Sequence, residues 1–305
     1  MRRRDFLHSL VCAAVVAPFI YSPSFASKSS LLMKKIPSSG EYIPSVGMGT
    51  WITFNVGSAQ RLRDERLEVL DMFFKIGGGM IDSSPMYGSS EEVLGYCLRK
   101  LGYPKSLFSA TKVWTSNEGR GDSQITESMN LWGVDVFDLV QVHNLLSWEA
   151  HLETLQELKK KGTIRYTGIT TSHGSRHREL EMIMKTEDID FVQFTYNVVQ
   201  REAEKRLLPL TKERGIAVII NRPFEGGELF NYYEKHPLPS WASEYDINNW
   251  AQFFLKFIIS HPSVTCAIPA TTQVQHMKEN MGAMRGVMPD EPTRQKMARY
   301  IKEIS

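Results

Sequence analysis

Cysteine is scarce in this sequence: Cys12, Cys97 and Cys266 are the only three in 305 residues. Cys97 and Cys266 stand 169 positions apart. That excludes a disulfide framework and predicts two buried free thiols. No Cys/His spacing matches a zinc site, so no metal is expected. Net charge is nearly absent too, with 36 Lys and Arg against 34 Asp and Glu, a formal +2. Arg2, Arg3, Arg4 and Asp5 alone sum to +2, which leaves the remainder neutral. A neutral remainder offers no broad basic face, and no nucleic-acid partner is expected. The run Lys159-Lys160-Lys161 is expected on a solvated helix end. There is no internal repeat of fixed period. What is present is ample apolar material, 42% hydrophobic and 10% aromatic, enough for a sizeable core and too much for a disordered chain.

Long hydrophobic runs are missing as well. The apolar stretch Leu10 to Ile20 has 11 residues including Pro18, short of the roughly 18–20 that cross a bilayer. It follows a basic start and precedes Ser24-Phe25-Ala26, whose small residues suit a signal peptidase. Residues 1–26 are therefore expected to be a signal peptide, and 27–305 one folded domain. The run Arg3-Arg4-Asp5-Phe6-Leu7 resembles the twin-arginine export signal, which carries folded proteins, although Arg2 stands where Ser or Thr is usual. A periplasmic location and contact with the twin-arginine machinery are the expectation, with no stable membrane span after cleavage. The alternative is an uncleaved membrane anchor. A lipoprotein anchor at Cys12 is weaker, because Val11 precedes it where a small residue is needed.

Short apolar runs alternate with longer amphipathic ones. The short runs are Val46–Thr50, Met80–Asp82, Leu107–Lys112, Leu139–His143, Ile164–Thr170, Phe191–Phe194, Ala217–Ile220 and Thr265–Ile268. Runs of this kind suit a parallel sheet covered on both faces. Leu67, Leu70 and Phe74, and then Leu152, Leu155 and Leu158, have helical spacing. Gly77-Gly78-Gly79, Gly162 and Gly215 stand where helices should end. Eight strand-then-helix units predict an α/β fold, a (β/α)8 TIM barrel, with an open doubly wound sheet as runner-up. No G-x-G-x-x-G follows the first strand, so the dinucleotide fingerprint of the open fold is absent. Leu31–Ile36, the turn Pro37–Gly40 and Tyr42–Pro44 read as a hairpin placed to close the barrel's bottom. Gly226–Trp241 reads as a longer loop.

Barrel chemistry sits at the C-terminal ends of strands. There the sequence places Asp82, Tyr87, Lys112 and His143. Each has a plain alternative: a helix cap for Asp82, a half-buried aromatic for Tyr87, a snorkelling lysine for Lys112 and a satisfied core histidine for His143. Four such coincidences on one rim are harder to accept than one site. A buried ammonium needs a counter-charge, which Asp82 can supply. A tyrosine beside an ammonium is expected to have a lowered pKa and to act as a proton donor to a carbonyl oxygen. A metal-dependent barrel hydrolase would need more His and carboxylate ligands at strand ends.

These residues carry a resemblance. Gly47–Trp51, Ile81–Gly88, Ala110–Trp114, Asp138–Asn144, Gly162–Gly168, Ile268-Pro269 and Glu279-Asn280 resemble the aldo/keto reductases, across roughly residues 40 to 290. The chain also resembles a bacterial branch of such proteins that bear twin-arginine signals. The resemblance implies Tyr87 as general acid, Lys112 and Asp82 as its tuning pair, and His143 as the group that orients the carbonyl. It implies NADPH, with NADH possible, lying across the barrel mouth. Gln193, Thr170 and Thr171 would hold the carboxamide, the two threonines standing where the family has Ser-Asn. Thr50 and Trp51 would border the cofactor. Asn221 replaces the aromatic that stacks on nicotinamide, and Arg222 can stack or reach a phosphate, with Pro223 and Phe224 following. Ala270 and His276 replace Lys and Arg at the 2′-phosphate, which leaves Thr271, Thr272, Glu279 and Asn280 to serve there. Trp51, Trp114 and Trp148 would wall the substrate pocket. The implied reaction is reduction of a small aldehyde or ketone. The alternative is a binding or sensor protein that holds cofactor with little turnover.

Overall fold

The computed structural model describes residues 30–305. The expected signal peptide lies outside the described residues. The chain opens with an antiparallel hairpin, β1 (Met33–Lys35) and β2 (Tyr42–Pro44), in which Lys34 faces Ile43. Eight parallel strands follow in chain order: β3 (Met48–Gly49), β4 (Met80–Asp82), β5 (Phe108–Val113), β6 (Phe137–Val142), β7 (Ile164–Thr170), β8 (Phe191–Thr195), β9 (Ala217–Asn221) and β10 (Cys266–Ala267). The last strand meets the first. Val46 bridges Ala267 in parallel, Gly47 N donates to Ala267 O at 2.8 Å, and Ala267 N donates to Ser45 O at 2.9 Å. That closure makes the sheet a barrel and removes the open doubly wound alternative. β6 begins two residues before the expected Leu139. Asp138 is accommodated in a strand because its carboxylate accepts from Ser109 N and Oγ on β5.

Helices α1 (Gln60–Lys75), α2 (Ser90–Leu101), α3 (Gly121–Trp132), α4 (Trp148–Lys161), α5 (His177–Thr186), α6 (Leu207–Arg214), α7 (Glu228–Tyr233), α8 (Trp250–Ile259), α9 (Val274–Gly282) and α10 (Glu291–Glu303) complete the described elements. The three lysines of α4 lie exposed in its last turn, as expected. Gly162 and Gly215 end α4 and α6 with left-handed φ of +77° and +67°. The segment expected as a loop over Gly226–Trp241 contains α7. Leu229, Phe230 and Tyr233 turn one face of it to the core, where Phe230 and Tyr233 meet Phe254 edge-on at ring distances of 5.8 and 6.1 Å.

The described residues form two apolar cores. One lies between strands and helices and takes in Leu70, Phe73, Leu98 and Leu155. The other fills the lower barrel: Ile36 and Ile43 of the hairpin region pack with Met80, Phe108, Leu139, Tyr166 and Phe191. Phe108 stacks on Tyr166 at 6.0 Å, and Phe191 packs against both. The hairpin thus closes the floor, and burying each such ring contributes about 1.5–3 kcal/mol. Cys97 in α2 and Cys266 in β10 are buried free thiols. Among the described residues no helix is long and apolar enough to cross a membrane, and no group of three or more His, Cys, Asp or Glu is placed to hold a metal ion.

Candidate active site

The strand alternation that makes the floor also makes the site. Two residues beyond Met80, Ala110, Leu139 and Phe191 stand Asp82, Lys112, Gln141 and Gln193, on the same inward face. Lys112 is wholly buried. Its Nζ donates to Asp82 Oδ2 at 2.6 Å and to Ser83 O at 2.7 Å. Asp82 Oδ1 accepts from Gln141 Nε2 at 3.1 Å and from Gln193 Nε2 at 3.0 Å. A buried ion pair survives only when its remaining valences are filled, and these amides fill them. Gly168 makes room for one of them, since a Cβ there would lie 3.1 Å from Gln141 Cγ and 2.8 Å from Phe191 O.

Tyr87 rides on a single 3-10 turn, Pro85–Tyr87, just after β4. Ser84 caps that turn through Oγ, and Gly88 leaves it at φ +60°, where a Cβ would strike Asn55 Oδ1 at 2.4 Å. The ring stands 5.1 Å from Lys112 Nζ and meets the His143 ring edge-on at 5.7 Å. The helix-cap reading of Asp82 and the snorkelling reading of Lys112 are therefore displaced. Both are buried partners beneath Tyr87.

Burial governs the titration here. It holds the Tyr87 phenol above its ordinary value; Lys112 pulls down and Asp82 pushes up. The expected lowering by Lys112 is present, but desolvation outweighs it, so Tyr87 is a neutral phenol at physiological pH. Burial also acts against the Lys112 ammonium, yet Asp82 and Tyr87 raise its pKa overall. Burial, with the Lys112 charge second, pushes His143 down to about 3, which makes it a neutral imidazole.

Above these groups opens a cavity of about 530 Å³, within the size range of small-molecule sites. Of the expected residues, Thr50, Trp51, Asp82, Tyr87, His143, Thr170, Gln193, Asn221, Arg222, Pro223 and Phe224 line it. Trp114 and Trp148 do not. Trp114 is exposed with its backbone tied to Gln124, and Trp148 starts α4 and leans on the outer core. Thr171, Thr271, Thr272, His276, Glu279 and Asn280 also lie outside the lining. Thr271 Oγ1 accepts from Gln273 N at 3.1 Å, so it already serves the start of α9. Asn221 is a connector: its Nδ2 donates to Thr171 O at 2.8 Å and to Gln193 Oε1 at 3.3 Å, and its Oδ1 accepts from Thr195 Oγ1.

Sequence reasoning missed Gln141, Ser84, Ile52, Met86, Asn144, Ser172, His173 and Phe230. Gln141 was detectable, standing two residues before His143 on the same strand face. Ser84, Met86 and Asn144 lie within the resembling stretches Ile81–Gly88 and Asp138–Asn144 but were not singled out there, whereas Ile52, Ser172 and His173 come from loops and Phe230 from α7, where no local signature points to the cavity. Backbone strain collects here, with left-handed φ at Ile52 (+64°), Asn144 (+52°), Leu145 (+55°) and Arg222 (+48°). For a β-branched residue such as Ile52 that conformation is rare.

The chain is similar to known proteins over most of its length. The chain is 27% identical over 247 residues to the NADH-specific methylglyoxal reductase of Escherichia coli (strain K12), covering 69% of this chain and 73% of the relative. It is 23% identical to a probable voltage-gated potassium channel subunit beta of Arabidopsis thaliana, covering 82% and 90%. The crystal structure of an aldo/keto reductase from Klebsiella pneumoniae in complex with NADP and acetate superposes with a TM-score of 0.74 at 22% identity, covering 88% of this chain and 94% of that one. The profile of the aldo/keto reductase family matches residues 45–297, from the bridge that closes the barrel to the last helix, and on that match the chain belongs to the aldo/keto reductase family.

Proposed function

We propose that this chain reduces a small aldehyde or ketone to the alcohol, with NADPH as the hydride source and NADH as a second donor. The observation that carries this reading is the Lys112–Asp82 pair buried beneath Tyr87, with His143 beside it on one cavity wall. The residues present fit such a cofactor. Arg222 lines the cavity and its Nε is a buried polar atom without a partner, a condition that costs about 1–3 kcal/mol until a ligand meets it. Thr170 Oγ1 accepts from Asn144 N and keeps its own hydrogen for an incoming acceptor. Gln193 Nε2 already donates to Asp82 Oδ1 and its Oε1 accepts from Asn221 Nδ2, so carboxamide recognition rests more on Thr170 than the family pattern implies.

The reduced nicotinamide ring, when bound, supplies hydride to the carbonyl carbon. The chain's residues do the rest. The neutral Tyr87 phenol holds a proton and gives it to the carbonyl oxygen as charge collects there. The phenolate left behind lies beside the Lys112 ammonium, which stabilises it; Asp82 anchors that ammonium. Solvent then returns the proton. Trp51, Ile52, Met86 and Phe230 surround the pocket with apolar surface, which excludes water from the reacting atoms. Tyr87→Phe should lower kcat by roughly 10²–10⁴ with an unchanged melting temperature. Full activity in that variant overturns the acid role.

A binding or sensor role is the second reading. It is favoured by the relative named as a channel subunit and by the altered contacts at Asn221, Ala270 and His276. Stopped-flow mixing separates the two: cofactor that binds yet is not oxidised by a broad aldehyde panel supports the sensor. We further infer export to the periplasm by the twin-arginine route, from Arg3-Arg4 and the stretch that follows. Fractionation of cells carrying an Arg3→Lys, Arg4→Lys chain should show loss of the periplasmic form.

A further inference from the structure

We propose that Ser84 is a positioning residue that fixes the tautomer of His143, so that the ring presents an Nε2–H donor to the carbonyl oxygen. The inference follows from counting hydrogens at one oxygen. Ser84 is fully buried. Its Oγ has two partners, Met86 N at 3.2 Å and His143 Nδ1 at 2.8 Å. A backbone N–H only donates, so Oγ accepts from Met86. The hydroxyl hydrogen then has one available acceptor, Nδ1. Were Nδ1 protonated, Oγ would accept twice and its own hydrogen would be buried with no partner. The satisfied arrangement therefore leaves Nδ1 bare and the ring's single proton on Nε2.

The same residue holds the acid. Tyr87 N donates to Ser84 O at 2.9 Å, so Ser84 binds the turn that carries Tyr87 through its backbone and through its side chain. The edge-on ring contact between Tyr87 and His143 is thus tied at its base by one serine. Two donors, the phenol O–H and Nε2–H, are set against one oxygen, the arrangement that stabilises a developing oxyanion. His143 is uncharged, so without Ser84 its proton would divide between two nitrogens and part of the population would turn an acceptor toward the substrate oxygen.

This rests on the carbonyl-reductase reading for its consequence, but its first test does not need turnover. Long-range proton–nitrogen correlation spectra of the imidazoles in the intact protein should show His143 with a bare Nδ1 and a protonated Nε2. A protonated Nδ1 overturns the proposal, whatever the enzyme reduces. In Ser84→Ala the His143 nitrogens should shift toward the averaged values of a tautomer mixture, and Ser84→Thr should restore the wild-type pattern. An unchanged spectrum in Ser84→Ala also overturns it. With turnover measured alongside, Ser84→Ala should lower kcat about three- to tenfold, less than the roughly 10²–10³ for losing an oxyanion donor outright, with KM for cofactor unmoved. A loss that Ser84→Thr leaves uncorrected while the spectrum recovers would detach the kinetics from the tautomer and overturn the catalytic half.

Discussion

The floor and the mouth of this barrel are built from the same strands, and they follow opposite rules. At the floor, Phe108, Tyr166 and Phe191 fill space with carbon, and the hairpin covers them. Four residues beyond Phe108 and two beyond Phe191, Lys112 and Gln193 stand in a layer where a buried charge and amides satisfy one another. Left-handed residues such as Asn144 and Arg222 belong to the mouth. The floor gains from burial alone, whereas the mouth carries desolvation and strain that the rest of the fold must offset. A period of two lets a six-residue strand such as β5 serve both ends.

The contrast can be broken most severely at the mouth. Lys112→Met leaves the Asp82 carboxylate buried without its cation, and stability should fall by about 3–5 kcal/mol. Urea unfolding followed by tryptophan fluorescence checks this; an unchanged midpoint would mean that water reaches Asp82. Adding Asp82→Asn should recover part of the loss, without activity.

At the floor, Phe191→Ala should cost a comparable or slightly smaller amount, about 3–5 kcal/mol less any relaxation of the cavity left behind. Turnover per folded molecule should stay near the wild-type value. A loss of kcat equal to that of a mouth variant would show that the two ends are not separable.

The smallest effect is set by protons. Burial pushes His143 at the mouth down to about 3, and burial with the nearby Arg294 charge pushes His261, whose carbonyl accepts from Lys34, down to about 4. The unfolded imidazoles take protons near 6.5. The stability these groups contribute is complete above that value and is lost as pH falls toward 4 and 3. Denaturation between about pH 7 and pH 5 should therefore show stability declining with acid. His261→Gln should flatten that decline and leave kcat alone, whereas His143→Gln should flatten it and depress kcat. Equal slopes in all three proteins would contradict the assignment.

The strand tips were legible because apolar runs and the Asp82–Tyr87 spacing are local patterns. All eight expected strands exist, and Asp82, Tyr87, Lys112 and His143 do meet. Helix α7 was hidden because six residues are too few to show a period amid Gly and Pro. Trp114 and Trp148 were misjudged as pocket walls because nearness to Lys112 or His143 in the chain does not set the direction of a loop. The raised Tyr87 pKa was invisible for a different reason: desolvation sums over atoms from many strands, while the Lys112 neighbour is a single pair.

The burial of Cys97 and Cys266 has a chemical consequence. Burial pushes the Cys97 thiol up to about 12 and the Cys266 thiol higher still, so the reactive thiolate is all but unpopulated at neutral pH. Cys97 sits in α2 and Cys266 in β10, and neither reaches the surface. An oxidant that meets this barrel finds no nucleophilic sulfur among these two, so the protein needs neither a disulfide nor a reductant to keep them as thiols.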